Sequence, residues 1–296
     1  MDTTGRSCGW IRVAARIDVP VKSPTTPVGD AGRRTALITG AGGGIGLELT
    51  RLLAADGHDV VIVGRKRDRL ERVEADLRAR HQIAVRCEPR DLAHSRGPFE
   101  LWEDLTKAGI TIDVLVNNAG VGLYGPLDEQ EADDLDRMLQ LNMGALTTLT
   151  RLVLPGMRQR SWGRILNVGS IVGYQPGAPR MAAYYATKAY VLSFSKGLAC
   201  ELEGTGVSVT ALSPGPTETS FDDTAGANVD VPYKRLPKMT AAAVARAGYE
   251  GMKRQSMVVI PGLLTKTLAL AGELPPRRIA LEVNRLLWTP RTKRSG

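Results

Sequence analysis

Tyr184 and Lys188 stand four residues apart in the run Tyr184-Tyr185-Ala186-Thr187-Lys188. On a helix that spacing puts them on one face. A phenol with a pKa of about 10 is a poor proton donor or acceptor near neutrality. An ammonium beside it favours the phenolate and draws the value down. A shift of ~2 units needs roughly 2.7 kcal/mol of differential interaction, within reach of a charge close by in a partly dry site. The pair reads as a tyrosine acid–base catalyst tuned by a lysine. Tyr185 is only three residues from Lys188 and points to another side. An ordinary helix with a packed tyrosine and a surface lysine is spelled the same way, so the surrounding elements must decide.

A second stretch with chemistry in it is Gly40-Ala41-Gly42-Gly43-Gly44-Ile45-Gly46. Thr35–Thr39 before it is a short apolar run with a β-branched bias, read as a buried strand. Ile45, Leu49, Leu52 and Leu53 after it recur at helical spacing. Strand, glycine turn and helix together make a phosphate cradle: glycine permits the tight turn, and the helix start offers free N–H groups and its positive dipole end. This context turns a weak motif into a dinucleotide-binding signal. The next strand, Asp59–Val63, ends in Gly64-Arg65-Lys66-Arg67. An acidic residue at that point would favour NAD by accepting from the ribose hydroxyls. The first charges here are basic, which favours the extra phosphate of NADP, with Arg65 the leading candidate and Lys66 the second. At the end of a further strand, Asp113–Asn117, the run Asn118-Ala119-Gly120 suits a backbone that lines a cofactor.

The elements that must position these residues alternate along the chain. Strands are expected at 35–39, 59–63, 83–87, 113–117, 164–168, 207–212 and 257–260. Between them fall helical patterns at 68–80, 96–108, 131–160, from Tyr184 to about 203, and from a Thr240 cap to about 254. Asn142 sits within the longest, at a position where asparagine is mildly unfavourable. Such alternation predicts an α/β fold: one doubly wound domain with a parallel seven-stranded sheet and helices on both faces. The expected organisation is an N-terminal extension over 1–33 without fixed structure, the dinucleotide-binding and catalytic domain over 34–262, and a basic, amphipathic segment over 263–296.

The net charge of +8 sits at the ends. Residues 1–34 carry six Lys/Arg against three Asp/Glu, and residues 277–296 carry six against one. The body between them is close to neutral, which argues against a nucleic-acid groove. Three cysteines, widely spaced, and three histidines without ligand spacing argue against a disulfide framework or a metal site and fit a reducing, cytoplasmic setting. No window is long and apolar enough for a transmembrane helix.

Together these motifs resemble the short-chain dehydrogenases/reductases over about residues 34–262. The pattern TGxxxGxG matches Thr39, Gly40, Gly44 and Gly46, and NNAG matches Asn117 to Gly120. YxxxK matches Tyr184 and Lys188, and PGxxxT matches Pro214, Gly215 and Thr219. Asn142 and Ser170 fall where the family has its catalytic asparagine and serine. The resemblance implies a catalytic set of Asn142, Ser170, Tyr184 and Lys188. Ser170 would hold the substrate oxygen, Tyr184 would pass the proton, Lys188 would tune the tyrosine and bind the nicotinamide ribose, and Asn142 would hold a water that feeds the lysine. It also implies a cofactor site from Gly40, Gly42, Gly43, Gly44, Ile45, Gly46, Arg65, Asp91, Asn118, Ala119, Gly120, Pro214, Gly215, Thr217 and Thr219, with Asp91 at the adenine and Thr219 at the carboxamide. Many NADP users in the family carry a basic residue inside the glycine turn. Ala41 to Gly43 has none, which leaves Arg65 to speak for NADP.

The activity implied is hydride transfer between NADP(H) and a carbonyl or secondary alcohol. A non-catalytic NADP sensor or scaffold on the same fold is the competing class, and the presence of all four reacting residues counts against it. Residues 171–183 and 220–239, with Tyr174, Met181 and Phe221, are expected to line a mostly apolar substrate pocket. A homodimer or homotetramer is expected. The segment 263–288, with leucines among basic residues, packs on the substrate loop or a second subunit, or lies on a membrane surface.

Overall fold

The computed structural model describes residues 33–219, 231–273 and 277–289, with the side chains of Lys234 and Arg277 excepted. The extension through residue 32, Phe221 and the tail beyond 289 lie outside the described residues. Strands β1 (Thr35–Thr39), β2 (Asp59–Gly64), β3 (Val85–Pro89), β4 (Val114–Asn117), β5 (Gly163–Val168) and β6 (Val207–Leu212) form one parallel sheet. A short last strand at Val258–Val259 completes it, and the spatial order is β3-β2-β1-β4-β5-β6 and then that last strand. This is the seven-stranded, doubly wound sheet the alternation predicts. Chain order reverses between β1 and β4, whose shared register pairs Ala36 with Val114 and Ile38 with Val116. A crevice opens at such a switch point, beyond the carboxyl ends of the strands.

Both sheet faces are covered, which is why the strands read as unbroken apolar runs. Ala36, Ile38, Val60 and Ile62 face helices α1 (Gly44–Ala55) and α2 (Arg67–Arg80) through Leu49, Leu53, Leu70 and Leu77. Leu37, Val61 and Leu115 point the other way, toward α3 (Gly97–Lys107) and the helices after it, through Leu101, Leu105, Leu149 and Leu198.

The long helical pattern over 131–160 is not one regular helix. Helix α4 (Ala132–Leu139) passes into a π-helical turn, Gln140–Ala145, before α5 (Leu146–Gln159). Asn142 lies in that turn and its side chain bonds elsewhere, so hydrophobic spacing alone could not show the break. The third strand begins two residues later than expected, at Val85. Helix α6 (Ala182–Glu201) begins two residues before Tyr184. A small parallel pair, β7 (Thr217–Glu218) with β8 (Met239–Thr240), had no sequence signal. Thr240 does cap the following helix α7 (Ala241–Lys253), its hydroxyl accepting from the Ala243 N–H at 3.2 Å.

Helices α8 (Leu263–Glu273) and α9 (Arg277–Trp288) fold back onto the loop after Ser170. The Gln175 amide donates to the Leu268 carbonyl at 2.8 Å, and the Asn284 amide donates to the Gly177 carbonyl at 2.7 Å. Of the two packings expected for this segment, contact with the substrate side is the one these bonds make.

Candidate active site

One cavity of about 640 Å³ runs from the glycine turn to Trp288. Its walls include Gly40, Gly42, Gly43, Gly44, Ile45, Arg65, Asp91, Asn118, Ala119, Gly120, Ser170, Tyr184, Lys188, Pro214, Gly215, Thr217 and Thr219. Of the expected catalytic and cofactor-binding residues, Gly46 and Asn142 stand behind the wall. Gly46 is a packing residue: a β-carbon there would fall 2.3 Å from the Gly40 carbonyl oxygen. Its lack of a side chain lets α1 start close against the turn.

The turn itself is held from β4. Asn118 donates from its side chain to the carbonyls of Thr39 and Gly40, at 3.0 and 3.2 Å. The Asn118 and Ala119 N–H groups both donate to the Thr39 hydroxyl at 3.0 Å. Gly40 needs its positive φ of 69° and has no room for a β-carbon beside Asn118. At the start of α1 no side chain caps the free N–H groups, and the first turn holds no acid. Unanswered donors at a helix start are what an anionic phosphate requires.

Basic side chains gather at the far end of this turn. Arg65, Lys66 and Arg69 line the cavity and make no ion pair within 4 Å among the described residues. Arg67 and Arg72 on the same segment are instead paired, with Glu71 and Asp68. Arg69 was not a sequence candidate. Its side chain lies over Gly42, where an added β-carbon would sit 3.5 Å from its own. It therefore places a cation at the glycine turn that the turn's sequence lacks. Nothing in the spelling of 65–72 separates it from its paired neighbours. Asp91, across from this cluster, is already engaged: Oδ2 accepts from Arg137 at 2.6 Å and Oδ1 from the Ala93 N–H at 3.0 Å. Burial raises the Asp91 carboxyl, but Arg137, the Ala93 N–H and the Arg65 charge outweigh it and hold its pKa below the usual value. Arg137 comes from α4, 46 residues away, and sequence spacing could not pair it with Asp91.

At the other end stand the reacting candidates. Lys188 is buried, and its ammonium donates to the Val168 carbonyl at 3.2 Å. It lies 5.8 Å from the centre of the Tyr184 ring. Burial pushes its pKa down from the usual 10.5 to about 8. Ser170 follows β5 by two residues and caps a short turn, Ile171–Tyr174, its oxygen accepting from the Val172 N–H at 3.3 Å. The Asn142 side chain is engaged: Oδ1 accepts from the Val121 N–H at 3.0 Å, and Nδ2 donates to the Val121 carbonyl at 2.9 Å and to the Thr187 hydroxyl at 3.1 Å. It thus ties the loop after β4 to helix α6. Beneath, a buried polar chain that the sequence did not reveal links the strands to the same helix. Asn117 donates to Asn167 at 2.9 Å, Asn167 donates to Ser195 at 2.9 Å, and Ser195 donates to the Val191 carbonyl at 2.6 Å.

Tyr185 turns away from Tyr184, as its spacing predicts. Its hydroxyl accepts from the Trp288 indole at 2.8 Å. Trp288 also stacks on Tyr233, with ring centres 4.3 Å apart, and its carbonyl accepts from Tyr124 at 3.0 Å. Trp288 and Tyr233 join Val121, Val172 and Met181 on the cavity wall. Tyr174, expected there, is buried beneath the wall and is not part of it.

This arrangement is similar to that of known proteins. The chain is 38% identical, over 180 residues, to the NADP-dependent 3-hydroxy acid dehydrogenase YdfG of Escherichia coli, covering 60% of this chain and 71% of that one. A short-chain dehydrogenase from Sphingobium yanoikuyae, solved in complex with NADPH, superposes with a TM-score of 0.72 at 36% identity, covering 81% of this chain and 92% of that one. A bulky-bulky ketone specific alcohol dehydrogenase from Comamonas testosteroni superposes with a TM-score of 0.67 at 31% identity, covering 82% and 95%. The family model described as short chain dehydrogenase matches residues 34–230. By that match the chain belongs to the short-chain dehydrogenases, a family of oxidoreductases.

Proposed function

We propose that the protein is an NADP(H)-dependent oxidoreductase that interconverts a mostly apolar ketone and its secondary alcohol, with Tyr184 as the acid–base group. The observation that carries this reading is the joining of two sites in one cavity. Uncapped helix donors and three cations with no ion pair among the described residues lie at one end, and Tyr184, Lys188 and Ser170 at the other. The NADP-dependent relative and the NADPH-bound neighbour support the same cofactor.

The residues present fit the cofactor. The start of α1 would hold its diphosphate, and Arg65 and Arg69 its ribose phosphate. When bound, NADPH supplies the hydride. The Ser170 hydroxyl and the Tyr184 phenol donate to the substrate oxygen, stabilising the negative charge that grows there. Tyr184 gives up its proton as the alcohol forms. The Lys188 ammonium, held in place by Val168, favours the phenolate that remains. Asn142 acts from behind Gly120. A β-carbon on Gly120 would lie 3.2 Å from Asn142 Oδ1 and 3.5 Å from the Lys188 ammonium nitrogen. The glycine keeps a space between those two groups, and a water there would return protons to the lysine. Val121, Val172, Met181, Tyr233 and Trp288 exclude water from the reacting end and select an apolar substrate, in keeping with the bulky ketone named for the Comamonas enzyme.

The test is a panel of ketones graded in bulk, each with NADPH, followed by loss of reduced-cofactor absorbance. Turnover that rises with apolar bulk supports the reading. NADPH binding without turnover on any carbonyl would move the protein to the sensor class.

A further inference from the structure

Among the described residues ten large hydrophobic side chains are exposed, and seven of them lie on α8 and α9. Single exposed apolar residues need no explanation, but a cluster does. On α8, Leu263 and Leu270 point away from the buried Thr265, Ala269 and Gly272. On α9, Ile279, Val283 and Leu286 recur at helical spacing as an outward stripe, while Asn284 and Trp288 face inward. The sequence that carries the stripe is basic. Residues 263–296 hold seven Lys/Arg against two Asp/Glu. Both acids are engaged, Glu273 with Lys196 at 3.7 Å and Glu282 with Arg285 at 2.7 Å.

We propose that the outer face of α8 and α9 docks on an anionic lipid surface. Two copies meeting through this segment would bring together two stretches of sequence, 263–296, that each carry a net charge of +5. Anionic headgroups complement the same charge, and leucine-class side chains enter the acyl boundary. No described helix is long and apolar enough to cross a membrane, so the helices lie along the surface. The inner side of α9 puts Trp288 on the cavity wall, so a docked molecule holds the substrate end of its cavity beside the bilayer. Only this last point rests on the proposed function; the docking face stands without it.

The experiment uses the full chain in vesicle co-sedimentation. Vesicles of phosphatidylcholine alone are compared with vesicles containing phosphatidylglycerol, at low and high salt. Binding is expected to be about tenfold stronger to the anionic vesicles and to weaken as salt rises. The triple variant Ile279→Ser/Val283→Ser/Leu286→Ser is expected to lose about tenfold in vesicle binding, with turnover of a water-soluble ketone retained. Equal binding to both vesicle types, or a triple variant that binds like the wild type, overturns the proposal. So does a wild type that ignores vesicles, including one whose dimer the triple variant splits in sedimentation velocity, which would assign the face to a second copy. Absence of ketone turnover in every variant would strike the proposed function and leave the vesicle result standing.

Discussion

Gly173 and Lys188 meet backbone to backbone: a β-carbon on Gly173 would fall 2.6 Å from the Lys188 carbonyl oxygen. The turn that Ser170 caps is thereby seated directly on the helix that carries Tyr184 and Lys188. Gly173→Ala must push the turn outward, because its neighbour is backbone and cannot move aside. The variant is expected to lose about 1–3 kcal/mol of stability through overpacking. A displacement near 1 Å at the reacting groups costs on the order of 100-fold in turnover. Urea unfolding and steady-state kinetics check both. A variant with unchanged kcat would show that Ser170 is not positioned through this contact.

The two adjacent tyrosines should separate by kinetics. Tyr184→Phe removes the proposed proton donor and is expected to lower kcat by about 100- to 10,000-fold, with NADPH affinity nearly unchanged. Tyr185→Phe removes the acceptor for the Trp288 indole and leaves that donor buried. Its expected cost is about 1–3 kcal/mol of stability, with a raised KM where Trp288 shapes the wall and a kcat close to wild type. Reversal of the two phenotypes would reassign the acid–base role.

Burial of Lys188 makes a signed prediction for pH. Its folded pKa is about 8 and its ordinary value 10.5, so the unfolded chain binds the extra proton across that window. This group's contribution to stability therefore rises as pH rises from about 8 to 10.5, and below 8 its burial costs the fold about 3 kcal/mol. Lys188→Met is expected to be inactive yet at least as stable as wild type at pH 7, measured by urea unfolding. A variant less stable by more than about 1 kcal/mol would mean that the bond to Val168 outweighs desolvation. In wild type, ketone reduction is expected to decline as pH climbs through about 8 and the ammonium is lost.

Cofactor choice should rest on two arginines. Arg65→Ala and Arg69→Ala are each expected to weaken NADPH binding by about 10- to 150-fold, the loss of one charge-assisted hydrogen bond to phosphate. NADH affinity should hardly change. Fluorescence titrations of both cofactors on both variants decide it. A substitution that weakens NADPH and NADH alike is not reading a phosphate. A wild type that prefers NADH would remove the basis of the NADP assignment.

Local chemistry is legible in spelling, and here it carried far. The glycine turn between β1 and α1, the alternating elements and the Tyr184–Lys188 spacing were determined by residue type and short-range periodicity. The fold follows from the same periodicity, and the family and much of the cavity wall follow from the motifs the chain shares with that family. Tertiary structure decided what depends on residues distant in the chain. Arg69, over Gly42, has no ion pair among the described residues, while Arg67 and Arg72 are spent on neighbouring acids, and the packing of α2 on the turn makes that difference. Asp91 is held by Arg137 of α4, and the Asn142 side chain, in the π-helical turn between α4 and α5, grips the Val121 backbone. Trp288 reaches the cavity from the far end of the chain because α9 folds back over the loop after Ser170. Periodicity reports which face of an element is apolar. It does not report what covers that face, and that is settled by which surfaces exclude water from one another.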